Sequence, residues 1–324
     1  MKKNIAIIMG GYSSEADISI KSGNVVYDNL DKEKYTAYRV LISTEKWVAL
    51  DADGTAYPID KNNFSFLLQD ASILFDCVFN AIHGAPGENG ELLAYFNLIN
   101  LKHTSASFYQ MALTYNKRDT LCVVKAYGIQ TATAVYLNKG AAIDLDTIIA
   151  KVGLPCFIKP NKAGSSFGIS KVYSREAILP AIALAYKEDS EILIESFLKG
   201  IEVSVGVISY QGVTTVLPIT EIVSENDFFD YDAKYNGKSK EITPARITKE
   251  QRKKVEEAAK NVYEILNLTG FSRSEFIFVN EEPYFLEINM VPGLTTQSIL
   301  PQQALAAGIS LADLFDNAIV SALQ

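Results

Sequence analysis

Little in this sequence supports a disulfide scaffold, a metal–thiolate protein, a nucleic-acid binder or a membrane protein. Its three cysteines, Cys77, Cys122 and Cys156, stand at no metal-ligand spacing, and two lie inside apolar runs, the pattern of free thiols in a reducing compartment. Asp and Glu number 38 against 30 Lys and Arg, so the net charge of −8 removes the cationic face that nucleic acid or an anionic membrane needs; only a local basic pocket remains open. No apolar run nears the roughly 20 residues of a membrane-spanning helix. The opening MKKNIAIIMGG breaks into Gly-Gly and Glu15 too early for a secretory signal, so a cytoplasmic protein is expected. What is present, 48% hydrophobic and 21% charged residues over a length of 324, is an ordinary globular composition with room for two or three cores.

Two nucleotide fingerprints are also incomplete. Asn4 to Met9 runs into Gly10-Gly11 and then a helical pattern from Ile18 to Leu30, the opening of an open α/β sheet, but the third glycine of the dinucleotide motif is missing. Ser14 with Asp17 has capping-box spacing, which leaves Glu15 free to face a ligand amine. Ala163 to Gly168 is small and glycine-bounded, able to cradle phosphate with its amides, yet lacks the Gly-Lys-Ser/Thr ending of a P-loop. Strands are expected at 37–42, 47–50, 75–82, 133–137, 155–160, 191–195, 202–210 and 213–222, with helices at 91–99, 107–113, 117–127, 144–152, 176–187, 249–266, 300–307 and 311–323.

Three places carry candidate chemistry. His83, one of only two histidines, opens a strand-end loop rich in glycine, His83-Gly84-Ala85-Pro86-Gly87-Glu88-Asn89-Gly90; structural and catalytic roles are both open for it. Lys159 lies in an apolar strand, where a lysine needs an anionic partner. Near the C-terminus, Glu275 to Val279 and Tyr284 to Met290 flank Asn280-Glu281-Glu282-Pro283 as a hairpin. Glu287 and Asn289, two apart, share a face. Pairing Phe278 with Tyr284 sets Glu275 opposite Glu287, and facing carboxylates need a cation between them. Glu275 alone would be an ordinary solvated edge residue. With Arg273 before it and Pro292-Gly293 after the second strand, the set suits a hard ion such as magnesium, which typically shares a nucleotide's phosphates. Residues 224–244 form a long polar and aromatic segment without period, the composition of a lid.

The segments GGYSSEADIS, HGAPGENGE, NKRDT, FIKPNKAGSSFGISKV, ILIESFLKGIEVSV, YDAKY and FLEINMVPGLTTQSILP, taken in that order from end to end, resemble the D-alanine–D-alanine ligase family of the ATP-grasp superfamily. The resemblance implies an α/β fold, α+β in its C-terminal part, with an N-terminal open parallel sheet (1–104) and two subdomains (105–195 and 196–324, the latter with lid 224–244) that sandwich ATP. It implies ligation of two D-alanines through an acyl phosphate for peptidoglycan precursors; the alternative is another ATP-grasp ligase, forming D-alanyl-D-lactate or using another amino acid. It implies two magnesium (or manganese) ions per site, held by Glu275, Glu287 and Asn289, and a homodimer.

Carried over by position, Lys117, Lys159, Ser166 and Lys234 would serve the phosphates; Glu195, Phe197 and Leu198 the adenine; and Glu202 the ribose. Glu15, in a set with Ser165 and Tyr235, would hold the first D-alanine near His83. Arg273 and the Gly293 amide would stabilise the oxyanion, and Ser298 and Ile299 would bind the second carboxylate. The chain departs from the family at Glu275, Asn116 and Asn89, where the family usually has Asp.

Overall fold

The computed structural model describes residues 2–162, 164, 167–224 and 239–324. The N-terminal strands are β1 (Lys3–Gly10), β2 (Tyr35–Ile42), β3 (Trp47–Leu50), β4 (Ala56–Pro58), a two-stranded hairpin of β5 (Phe66–Leu68) and β6 (Ala71–Ile73), then β7 (Cys77–Asn80) and β8 (Lys102–His103). They build a sheet of order β4-β3-β2-β1-β7-β8, parallel from β2 through β8, with the antiparallel β3 and β4 at one edge. β1 is buried from Ile5 to Met9 because both its faces are covered, which is why it reads as a continuous apolar run. β1 and β7 are neighbours, so the Gly10-Gly11 turn and the His83 loop leave the sheet side by side.

Helix α1 (Ala16–Asn29) follows the first turn and buries Ser19, Ser22, Gly23 and Val26 along one stripe. Ser19 Oγ accepts from Gly10 N at 2.9 Å and donates to Ala81 O at 2.7 Å, tying the two strand ends together. No side chain caps α1, so the Ser14–Asp17 capping box is not formed; Ser13 Oγ instead accepts from Glu15 N and donates to His83 O. Helix α2 (Glu91–Leu98) follows the His83 loop, and α3 (Phe108–Tyr115) and α4 (Lys117–Ala126) come next.

The central sheet is antiparallel, in the order β11 (Ser170–Val172), β10 (Cys156–Pro160), β12 (Glu191–Ser196), β9 (Ala134–Asn138). Its apolar face packs on α5 (Leu145–Val152) and α6 (Ile178–Glu188). The C-terminal sheet contains β13 (Ile201–Tyr210), β14 (Val213–Val216), β15 (Thr220–Ser224), β16 (Ser239–Ile242), β17 (Phe271–Val279) and β18 (Glu282–Asn289), ordered β16-β15-β13-β17-β18 with β14 also on β13. The run 213–222, expected as one strand, is two, because it is interrupted around Pro218, which has no N–H to give a ladder. β16 lies within the segment expected to lack regular structure; it is four residues long, too short for a period to show, and is fixed by pairing with β15. Helices α7 (Lys249–Ile265), α8 (Ile299–Ala306) and α9 (Leu311–Leu323) complete the chain. Among the described residues, no single helix is long and apolar enough to cross a membrane.

The β17–β18 hairpin turns at Asn280 and Glu281, both at positive φ. Its register differs from the expected one. Tyr284 pairs with Ile277, Phe285 with Phe276, and a bulge at Leu286 then sets Glu275 opposite Glu287 and Arg273 opposite Asn289. The expected facing of the two carboxylates is therefore present, reached through a different pairing. Before the bulge Pro283 and Phe285 point into the core; after it Ile288 and Met290 do, which turns Glu287 and Asn289 outward. Phe276 and Phe285 meet edge to face at 5.6 Å, contributing about 1 kcal/mol beyond area.

One apolar cluster runs from the first sheet into the third, and a second joins β1 and β7 to α9, with Phe79 against Phe315 at 5.6 Å. α3 and α4 pack on β18. The three sheets therefore meet around one cleft.

Candidate active site

The cleft, about 340 Å³, takes its walls from loops of the first sheet, α1, α4, the hairpin face and the start of α8. Glu15 and His83 come from the strand ends, Lys117 from the first residue of α4, Arg273, Glu287 and Asn289 from the hairpin, and Gly293, Ser298 and Ile299 from the stretch leading into α8. Nine residues singled out in the sequence thus share one cavity. Lys159, Glu195, Phe197, Leu198, Glu202 and Glu275 stand outside its lining. Ser165, Ser166, Lys234 and Tyr235 lie outside the described residues.

On the hairpin face, Lys117 Nζ is 3.3 Å from Glu287 Oε2. Arg273 Nη2 is 3.3 Å from Glu275 Oε1, which also accepts from Ser204 Oγ at 3.4 Å. The retracted Glu275 is only 6% exposed. Asn289 Nδ2 and Arg273 Nε are buried and have no hydrogen-bond partner among the described residues. Both are N–H donors, so what they lack is an acceptor, such as a carboxylate or phosphate oxygen of a ligand. Two carboxylates and an amide fit a magnesium-type ion that takes its other ligands from phosphate and water; among the described residues no three His, Cys, Asp or Glu side chains gather to cage a metal alone.

Lys159 lies on β10 and Glu195 on the adjacent β12, their charged atoms 2.5 Å apart and both residues buried. Burial alone would lower the Lys159 pKa, but Glu195 and then Glu287 outweigh it and hold it above the ordinary lysine value. The anionic partner that a strand lysine requires is therefore Glu195, and through Glu287 the same lysine senses the cleft. Phe197 and Leu198 follow β12 directly, and Glu202 sits near the start of β13. The Phe197 ring lies under Lys171 Nζ at 4.1 Å.

The geometry assigns His83 a proton position. Val291 O, 2.7 Å from Nδ1, can only accept, so Nδ1 carries the proton. Ser22 Oγ accepts from Leu294 N at 3.1 Å and donates to Nε2 at 3.2 Å. Burial lowers the His83 pKa against the pull of Glu15, keeping the ring neutral. The histidine thus binds the first sheet to the loop 291–294. Gly164 reaches the same corner, where an added Cβ would meet the Glu15 carboxylate and that side chain would have to move aside.

Glu88 was not among the sequence candidates. It accepts from Gly84 N at 3.0 Å, Met290 N at 3.2 Å and Val291 N at 3.3 Å. Desolvation, with Glu15 adding to it, raises its pKa to about 7 although three N–H groups pull the other way. The one available signal was its place in the glycine loop. Tyr115, also in the cleft, has its hydroxyl pKa raised by burial and by the nearby Glu88 and Glu15, so it stays protonated at neutral pH.

Family models match the chain over residues 4–106 (D-ala D-ala ligase N-terminus) and 123–320 (D-ala D-ala ligase C-terminus). The chain is 65% identical over 317 residues to a D-alanine–D-alanine ligase of Flavobacterium johnsoniae, with 98% of each covered. It is 56% identical to one of Christiangramia forsetii, covering 100% of this chain and 99% of the relative. Among solved structures, the VanG D-Ala:D-Ser ligase of Enterococcus faecalis is 30% identical with a TM-score of 0.87 over 100% of both chains. The D-alanyl-alanine synthetase A of Vibrio cholerae is 25% identical with a TM-score of 0.89, over 99% of this chain and 98% of that one.

Proposed function

The chain belongs to the D-alanine–D-alanine ligase family, and from that premise we propose how its cleft divides the work of joining two amino acids. The enzyme is an ATP-dependent carboxylate–amine ligase that forms D-alanyl-D-alanine, with ADP and phosphate, for peptidoglycan precursors. The reading of its residues rests on one observation: Lys117 of α4, Arg273 and two cleft-facing oxygen donors of the C-terminal sheet, and Glu15 from a loop of the first sheet line a single cavity.

The first D-alanine carboxylate attacks the γ-phosphorus of ATP, giving an acyl phosphate and ADP. The second D-alanine's amine then attacks the acyl carbon, phosphate leaves, and the amine proton is released. Anion meets anion in the first step, so Lys117 and Lys159 neutralise the phosphates. Glu275, Glu287 and Asn289 would hold magnesium or manganese, two ions per site, supplying further charge neutralisation and orientation of the phosphates. Glu15 holds the first ammonium group, with Ser165 and Tyr235 completing that set. Arg273 and the Gly293 amide answer the oxyanion of the tetrahedral intermediate, where the loss of one donor typically costs about 3 kcal/mol of barrier. Ser298 Oγ and the Ile299 amide take the second carboxylate at the N-terminal end of α8, where backbone N–H groups point outward. His83, neutral and bonded at both nitrogens, positions the 291–294 loop. Glu195, Phe197 and Leu198 receive adenine, Glu202 the ribose, and Ser166 and Lys234 the phosphates.

We further read residues 1–104, 105–195 and 196–324 as the three domains, with 224–244 as lid, in a cytoplasmic homodimer. A coupled assay of ADP release with a panel of acceptors tests the reaction. Release with D-alanine and not with D-lactate is expected; preference for D-lactate would replace it with a depsipeptide ligase.

A further inference from the structure

Lys117 begins a helix and Lys159 sits in a strand, so neither side chain sets the distance between them. We propose that Asn161 sets it, as the positioning residue for the two phosphate-binding lysines; the inference rests on the ATP-dependent reading above. Asn161 is fully buried and all its polar groups are engaged. Its Nδ2 donates to Asn116 Oδ1 at 2.9 Å and to Glu191 Oε2 at 3.0 Å, while Oδ1 accepts from Arg118 N at 2.8 Å. Its carbonyl accepts from Lys117 N at 3.4 Å and its N–H donates to Glu191 O at 2.9 Å.

Residues 116, 117 and 118, on Lys117 and on either side of it, are therefore fastened to a residue two positions after Lys159. Asn116 is also the cap of α4, its Oδ1 accepting from Asp119 N at 3.0 Å. Glu191 is held from the other side by Arg118 Nη2 and Lys162 Nζ, each at 2.9 Å. The position needs two donors and one acceptor on a planar group. Aspartate would turn acceptors toward Asn116 Oδ1 and Glu191, and alanine would leave the Arg118 amide without its partner. A shift of about 1 Å in a positioning group costs on the order of a hundredfold in rate.

The experiment measures the Kd for the non-hydrolysable analogue AMP-PNP with magnesium by calorimetry on the full chain, beside steady-state KM values. Asn161→Ala is expected to raise the Kd and the KM for ATP about 10- to 100-fold, the cost of losing one lysine's charge-assisted bonds to phosphate, leaving the KM for D-alanine within about threefold. Adding Lys117→Ala to it is expected to weaken binding by no more than about threefold, because a misplaced lysine has little left to lose. Asn161→Asp with Glu191→Gln reverses the donor and acceptor of one bond and is expected to recover most of the affinity that Asn161→Asp alone loses. If Asn161→Ala does not fold, Asn161→Ser carries the same prediction, since its hydroxyl serves the Arg118 amide without reaching Glu191. Wild-type affinity in the alanine variant, full additivity with Lys117→Ala, or no recovery in the swap overturns the proposal. A wild-type chain that fails to bind AMP-PNP overturns the ATP reading instead.

Discussion

Two lysine–carboxylate pairs sit at the edges of the same cleft and behave as different devices. Lys159–Glu195 spans adjacent strands of one sheet at 2.5 Å, with side chains 10% and 6% exposed. Lys117–Glu287 spans a helix and a strand of another sheet at 3.3 Å, with side chains 11% and 27% exposed. Ions removed from water must be answered by each other, so the first pair holds the central sheet together in addition to the nucleotide roles proposed for it. The second faces the cavity, where, on the function proposed above, incoming phosphate and a divalent ion would offer each member a stronger partner. On that reading it would keep opposite charges near their working positions until the substrate replaces it.

The sharpest break in this comparison comes from Glu287→Gln. It is expected to reduce turnover by at least about a thousandfold, in the manner of losing a central electrostatic group, with circular dichroism and melting unchanged; near-normal ADP release would remove Glu287 from the chemistry. Lys159→Met leaves Glu195 buried without its cation and is expected to destabilise the fold by roughly 3–5 kcal/mol in urea unfolding. Adding Glu195→Leu should recover most of that loss. Lys117→Met is expected to change stability by less than about 1 kcal/mol while weakening ATP binding; equal destabilisation by the two lysine variants would erase the distinction.

Glu88 offers a third case, a carboxylate answered by backbone N–H groups. Its folded pKa of about 7 lies above the ordinary 4.5, so the native state holds a proton that the unfolded chain releases between those values. Its contribution to stability is present below about pH 4.5 and is lost as pH rises through about 7, up to roughly 3 kcal/mol. Glu88→Gln should remove that slope relative to wild type. The depressed His83 pKa works in the opposite direction, contributing stability above about pH 6.5 that is lost as pH falls through its folded pKa, and it is common to both proteins. The smallest effect is expected from Glu275→Asp, which shortens the reach to Arg273 and Ser204 and should shift the magnesium requirement by roughly threefold, read by titrating the metal in the ADP assay.

What could be read in the chain was what local geometry decides. Glu287 and Asn289 share a face because a strand alternates, and Lys159 announced a partner because a charge in an apolar strand needs one. Long-range consequences were hidden. Glu88 and Asn161 look like ordinary loop polar residues, and their roles depend on backbone groups about 200 and 40 positions away, which no local period encodes. The expected pairing of Phe278 with Tyr284 failed for a related reason: turn residues signal a hairpin, but an inserted residue farther along its strand leaves no compositional mark.

That extra residue at Leu286 makes the site sensitive to chain length as well as to residue identity. Insert one more residue after it, and every side chain beyond rotates by half a strand repeat: the acid and amide would turn toward the oily layer, while Ile288 and Met290 would face the cleft. Evolution can exchange letters along this arm more freely than it can add one.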